Sequence, residues 1–238
     1  GVIVITTKKG KSGKTKMNVT ISSAFSKLSN KVDVFSASEF RNQVVAAGGI
    51  LTDGGGSTDW QDELTETGVS NNINLSMSGG TDNSSYAASF GVDDQEGIFR
   101  NSHLKRYTGR LNLTQKAIND KLKVEFSLTG SKYENTRPNS NGIVNSMLSA
   151  NPTDKIYTNG ELSGNLSNDI LNPLISENLY GDFTDSYRLL ANVGTSYKIM
   201  KGLSYKLNLG IDFSSTNRDV QTKPYATETN ETLGSLSN

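Results

Sequence analysis

Gly13-Lys14-Thr15 matches the end of the loop in which backbone N–H groups cradle a polyphosphate and a lysine reaches its outer phosphates. That loop also needs a glycine at position 8, which is Lys8, and a helix pattern afterwards, which is absent; the stretch reads instead as a basic hinge ahead of a strand. Asp93-Asp94-Gln95-Glu96-Gly97 has the carboxylates of a calcium loop without the alternating Asp spacing or the distal Glu that would close the coordination shell. His103 is the single imidazole and has no evident partner, so it reads as a surface residue. Asp59, Asp62, Glu63 and Glu66 surround Trp60, an arrangement that can stack and hydrogen-bond a sugar, although a loop packing anchor with solvated charges is the favoured reading. No Gly-x-Ser-x-Gly elbow occurs, and no triad or metal set assembles. Neither an enzymatic activity nor a cofactor is expected.

Composition narrows the classes further. The 238 residues carry 24 Lys+Arg against 24 Asp+Glu, one His and no Cys. Without Cys there is no disulfide framework or thiolate site. Balanced, interspersed charge lacks the basic stripe of a nucleic-acid surface, so no nucleic-acid partner is expected. Apolar residues make up 34%, low for a conventional core, and their longest runs fall far short of the ~20 residues of a membrane-spanning helix.

The elements that carry these residues show a period of two. Met17, Val19, Ile21 and Phe25 alternate with Asn18, Thr20, Ser22 and Ala24, and further segments repeat the pattern around Ile73–Met77, Tyr86–Val92, Tyr107–Leu113 and Leu122–Leu128. Two longer ones follow at Tyr187–Ile199 and Leu203–Phe213. Successive strand side chains point to opposite faces, so each segment has one face free of charge and one holding Arg, Lys, Glu and Asp among small polar groups. A half-solvated sheet would alternate too. Repeated segments of ~10 residues separated by turn residues are the pattern of a transmembrane β-barrel, where a Lys or Arg on the lipid face costs roughly 2–4 kcal/mol at the midplane. Tyr86, Tyr107, Tyr187, Tyr197, Tyr205 and Phe213 fall near segment ends on the apolar face, as interfacial aromatic girdles do.

Connections alternate long and short: 26–68, 79–83, 93–102, 117–120, 134–185 and 201–202. Outer-membrane barrels have short periplasmic turns and longer external loops, which makes the first strand run outward. Ser36-Ala-Ser-Glu39 reads as a capping box starting a helix over Ala37–Ala47 that ends at Gly48-Gly49. The stretch from Glu134 to Asp185 holds three of the four prolines and reads as an external loop.

Gly1-Val-Ile-Val-Ile-Thr-Thr-Lys-Lys-Gly-Lys resembles the closing strand of the plug domain in SusC/RagA-type TonB-dependent outer-membrane transporters. Ser36-Ala-Ser-Glu-Phe-Arg, Thr58-Asp-Trp-Gln-Asp-Glu, Ser78-Gly-Gly-Thr-Asp-Asn-Ser-Ser-Tyr, Asp94-Gln-Glu-Gly-Ile and Arg106-Tyr-Thr-Gly-Arg-Leu-Asn-Leu resemble the same family in its order, over most of Gly1 to Tyr133. The resemblance implies an all-β, plugged barrel in outer-membrane lipid, ~22 strands in full. It imports oligosaccharides or peptides, works with a SusD-like surface lipoprotein and is powered by TonB–ExbB–ExbD. Residues 1–14 are then expected to end the plug and form a hinge, and 15–238 to form the first part of the barrel wall, with external loops 26–68 and 134–185. Seven strands are an odd number for a single-chain barrel, so the chain is expected to be a piece. Trp60, Arg106, Arg110, Arg188 and Lys198 are the candidate solute- or plug-facing residues. A soluble extracellular sheet that binds glycan and a passive porin remain as alternatives.

Overall fold

The computed structural model describes residues 13–167, 170–226, 231–232 and 235–237. The expected plug end and most of the hinge before Lys14 lie outside the described residues.

Strand β1 (Gly13–Ser26) is followed by helices α1 (Ala37–Ala46) and α2 (Trp60–Glu63), then by β2 (Gly68–Gly80), β3 (Ser84–Glu96), β4 (His103–Ala117) and β5 (Leu122–Arg137). Helix α3 (Ser140–Ser149), the short β6 (Tyr157–Thr158) and β7 (Glu161–Leu162), and helix α4 (Pro173–Leu179) fill the next connection. Then come β8 (Tyr180–Met200), β9 (Leu203–Thr222), β10 (Tyr225–Ala226), β11 (Glu231–Thr232) and β12 (Ser235–Ser237). One antiparallel sheet runs β1-β2-β3-β4-β5-β8-β9-β12. Every segment with period-two alternation is therefore a wall strand paired to its neighbour in the chain.

The register aligns like faces. Val19, Leu75, Phe90, Gly109, Gly130, Leu189 and Phe213 form one row across seven strands, and Met17, Met77, Ala88, Leu111, Leu128, Ala191 and Ile211 the next. A one-residue slip of any strand would place its polar face in this belt, so register is strongly specified. The belt is uncovered: Ile21 is 69% exposed and Ile211 68%. Along β2, Ile73, Leu75 and Met77 are exposed while Asn72, Asn74 and Ser76 are less so. The sheet is thus inside-out by the standard of a water-soluble protein, where an apolar surface this large is covered.

Belt height decides between a covered sheet and a bilayer. Tyr107 and Tyr187 both flank Lys132, and at the other end Tyr197 pairs with Tyr205. From Tyr187 to Tyr197 along β8, ~3.3 Å per residue gives about 33 Å, or about 23 Å at a tilt of ~45°. The lipid-facing band of outer-membrane barrels is ~25 Å tall between its aromatic girdles.

Turns at one end are short. Lys201-Gly202 closes the β8–β9 hairpin with Gly202 at φ 85°, a left-handed position glycine takes without a Cβ clash. At the other end α1 starts where expected: Ser36 Oγ accepts from the Glu39 N–H and the Glu39 carboxylate accepts from the Ser36 N–H. The 134–185 loop is narrower than expected, because β5 continues to Arg137 and β8 begins at Tyr180. Beyond the upper tyrosines the charge-free face ends, with Asp94, His103, Lys105, Glu134 and Asp185 on the belt side, and the alternation that marks a strand disappears. A buried apolar cluster sits in the loops: Trp60 and Leu64 from α2, Ile143 and Met147 from α3, Leu174 from α4, with Ala150 and Leu166. Asn139 caps α3, and Asn172 caps α4 with Pro173 in its first turn.

Candidate functional site: the polar face and its external loops

Side chains opposite the belt form a hydrogen-bonded lattice across the sheet. Arg106 Nε donates to Asp93 at 2.9 Å, and Asn72 donates to the same carboxylate. Arg188 grips Asp212 with two N–H donors at 3.0 and 2.7 Å, and Ser186 and Thr216 hydroxyls meet at 2.7 Å. Arg106 and Arg188 therefore stand in neutral one-to-one pairs. Arg110 and Lys198 are exposed on the same face, and no ion pair holds them among the described residues. The four lie on different rows and do not converge on one point: Arg106 is level with Tyr133, Arg110 with Thr129, Arg188 with Ser131, and Lys198 with Ser204 beside a short turn.

Trp60 is only 3% exposed and its Nε1–H donates to the Asn151 carbonyl at 3.1 Å. Its ring is an anchor of the loop cluster, with no face left for stacking on a sugar. The carboxylates near it divide: Asp59 caps α2 and, with Asp62, holds Lys31 at 2.7 and 2.6 Å. Those two acids raise the Lys31 ammonium above its ordinary value by hydrogen bonding to its charged form.

The external loops are braced by three further contacts. Arg41 holds Asp53 through two N–H donors at 2.8 Å, which brings that carboxyl down to about 2. Asn151 and Thr153 reach back to the Thr52 carbonyl. Gly54 lies so close to Asp154 that a Cβ there would meet its backbone Cα at 2.8 Å. Glu177 is the exception to satisfaction: it is 6% exposed, neither carboxylate oxygen has a hydrogen-bond partner among the described residues, and burial pushes it up to about 7. Between the loop segments 31–37 and 57–61 and the end of α3 lies a cleft of about 970 Å³ with Val34, Phe35 and Leu148 on its walls.

Arg137, Asp182 and Arg218 were not among the expected residues. They meet on β5, β8 and β9 at the loop end of the polar face, where the Asp182 side chain is 4% exposed. His103, expected to stand alone, lies 2.6 Å from Asp94 on the belt side above the upper tyrosines.

A charge-free exposed belt of bilayer height, a polar lattice on the opposite face and ordered loops at one end define a segment of an outer-membrane β-barrel wall. Searched against family models, the chain matches none. It is 33% identical over 92% of its length to TonB-dependent receptor P3 of Formosa agariphila, covering 23% of that protein. It is 28% identical over 95% of its length to TonB-dependent receptor SusC of Bacteroides thetaiotaomicron, covering 25% of it. The solved RagAB peptide importer in its open-open state superposes with a TM-score of 0.77 at 22% identity, over 96% of this chain and 31% of that one. The closed-closed state gives 0.75. The chain spans about a quarter of the length of the curated relatives it matches. Over most of its length the chain is thus similar to TonB-dependent receptors, SusC among them, and it has the β-barrel fold of the RagAB transporter.

Proposed function

We propose that the chain forms part of the wall and external mouth of a TonB-dependent importer in the bacterial outer membrane, taking up oligosaccharides or peptides. The belt carries this reading: its height matches a bilayer, and among the described residues nothing covers it. Residues 1–14 close the plug domain and lead into the barrel, which 15–238 begin. Loops 26–68 and 138–179 face outward and meet a SusD-like surface lipoprotein; TonB–ExbB–ExbD energises release of the plug. Arg106, Arg110, Arg188 and Lys198 line the wet side of the wall, where they face plug or solute.

Deletion of the gene in its host should abolish uptake of either a labelled oligosaccharide pool or a labelled peptide pool, and loss of TonB should do the same. Uptake that persists without TonB would mean a passive pore. Recovery of the full-length protein in the soluble fraction after an alkaline carbonate wash would mean a soluble sheet.

A further inference from the structure

At the loop end of the polar face, one carboxylate is held by two arginines. Asp182 accepts from Arg137 Nε and Nη2 at 3.1 and 3.0 Å and from Arg218 Nε and Nη2 at 2.9 and 2.7 Å. Arg137 Nη2 also reaches Thr184 Oγ1 at 2.6 Å. Four charge-assisted bonds use up the acceptor capacity of the buried carboxylate. Arg137 and Arg218 remain 40% and 55% exposed.

This cluster differs from its neighbours by its charge. Arg106–Asp93 and Arg188–Asp212 are neutral pairs, and a single bidentate arginine would have sufficed to neutralise Asp182 in the same way. The second guanidinium leaves an excess of one positive charge, which costs free energy where solvent is restricted. The cluster opens onto a cleft of about 400 Å³ whose other lining residues are uncharged, with Ser102, Asn139, Asn141 and Tyr180 among them. Among the described residues the cleft therefore combines a fixed planar cation pair, neutral hydrogen-bonding side chains and no free carboxylate. Guanidinium groups in such a setting suit carboxylate and sulfate oxygens, which accept paired N–H donors.

We propose that Arg137 and Arg218 form an anion subsite at the external mouth, taking a carboxylate or sulfate group of the transported solute, with Asp182 holding the two guanidiniums in position. The subsite deepens the importer reading and rests on it for its biological use, but its occupancy is measurable without transport.

The test is site-resolved arginine modification of the full-length protein in detergent. Phenylglyoxal labelling is followed by mass spectrometry, with sodium sulfate and sodium glutarate titrated at constant ionic strength. Either anion should slow labelling of Arg137 and Arg218 at least fivefold under conditions that leave Arg188, equally exposed at 55%, unchanged; the anion with the lower midpoint assigns the substituent. Asp182→Asn replaces one acceptor oxygen by an NH2 donor, releases the two guanidiniums from their fixed position and should raise the protection midpoint at least fivefold, whereas Arg218→Gln should abolish protection of Arg137. A heat-modifiable band checks that each variant is folded. Protection equal to that of Arg188, or an unchanged midpoint in folded Asp182→Asn, overturns the subsite. TonB-dependent uptake with no such protection would remove the subsite and keep the importer; protection with no uptake would do the reverse.

Discussion

Glu177→Gln should make the external loop cluster insensitive to pH between 5 and 8. In the native protein the carboxyl of Glu177 is buried on α4 without a hydrogen-bond partner among the described residues, and burial raises it to about 7 from an ordinary value of 4.5. Arg100 opposes the shift and Glu66 adds to it. The sign follows from proton binding: between 4.5 and 7 the folded loop holds a proton that the opened loop releases, so stability falls as pH rises through that window. At 1.36 kcal/mol per pKa unit, going from pH 5 to pH 8 removes at most about 2.5 kcal/mol, less where water reaches the carboxyl. That is up to roughly a 70-fold rise in the opening equilibrium. Hydrogen exchange of amides in α2, α3 and α4, corrected for intrinsic rates, reads this opening directly. Native protein should lose protection by about that factor while Glu177→Gln changes severalfold less. An equal pH dependence in the two proteins would refute the assignment of the effect to Glu177.

Two further outcomes test the wall and the loop core. Leu75→Lys places a charge in the middle of the belt and should cost roughly 2–4 kcal/mol in urea-unfolding experiments in lipid vesicles, whereas Ser76→Lys, one residue on and facing the wet side, should stay within about 1 kcal/mol of native; similar costs at the two positions would contradict the facing of β2. Leu64→Ala, at a position with 0% exposure in the loop cluster, should destabilise that cluster by roughly 2–5 kcal/mol. Limited proteolysis should then cut 26–68 or 138–179 much faster while the barrel keeps its heat-modifiable migration.

The wall was legible because one physical sorting repeats along it: Ile73, Leu75 and Met77 must meet lipid, while Asn72, Asn74 and Ser76 need not. The upper parts of β5 and β8 were not, since above Tyr187 neither face meets lipid and Thr184, Asp185 and Ser186 carry no contrast. Helices α3 and α4 did leave signals, Asn139 as a cap and Asn172-Pro173 as a cap with proline in the first turn, masked by an Asn- and Ser-rich background. Trp60 illustrates the limit for single residues. A tryptophan among carboxylates fits both an exposed stacking surface and a buried anchor, and only the packing of Ile143 and Leu174, some eighty and more positions away, decides for the anchor. The Arg137–Asp182–Arg218 cluster was illegible for the same reason, being assembled by register between strands.

The sheet order has a consequence for how the protein comes together. Every wall pairing from β1 to β5 joins strands adjacent in the chain, and β8–β9 is a hairpin with a two-residue turn. Two seams, β1–β2 across 27–67 and β5–β8 across 138–179, must each close over about forty residues, at roughly 2 kcal/mol more loop entropy than a four-residue turn. The Trp60–Leu174 cluster draws residues from both connections, so the two seams and the loops mature together, and an assembly machine that inserts hairpins meets its slowest steps there.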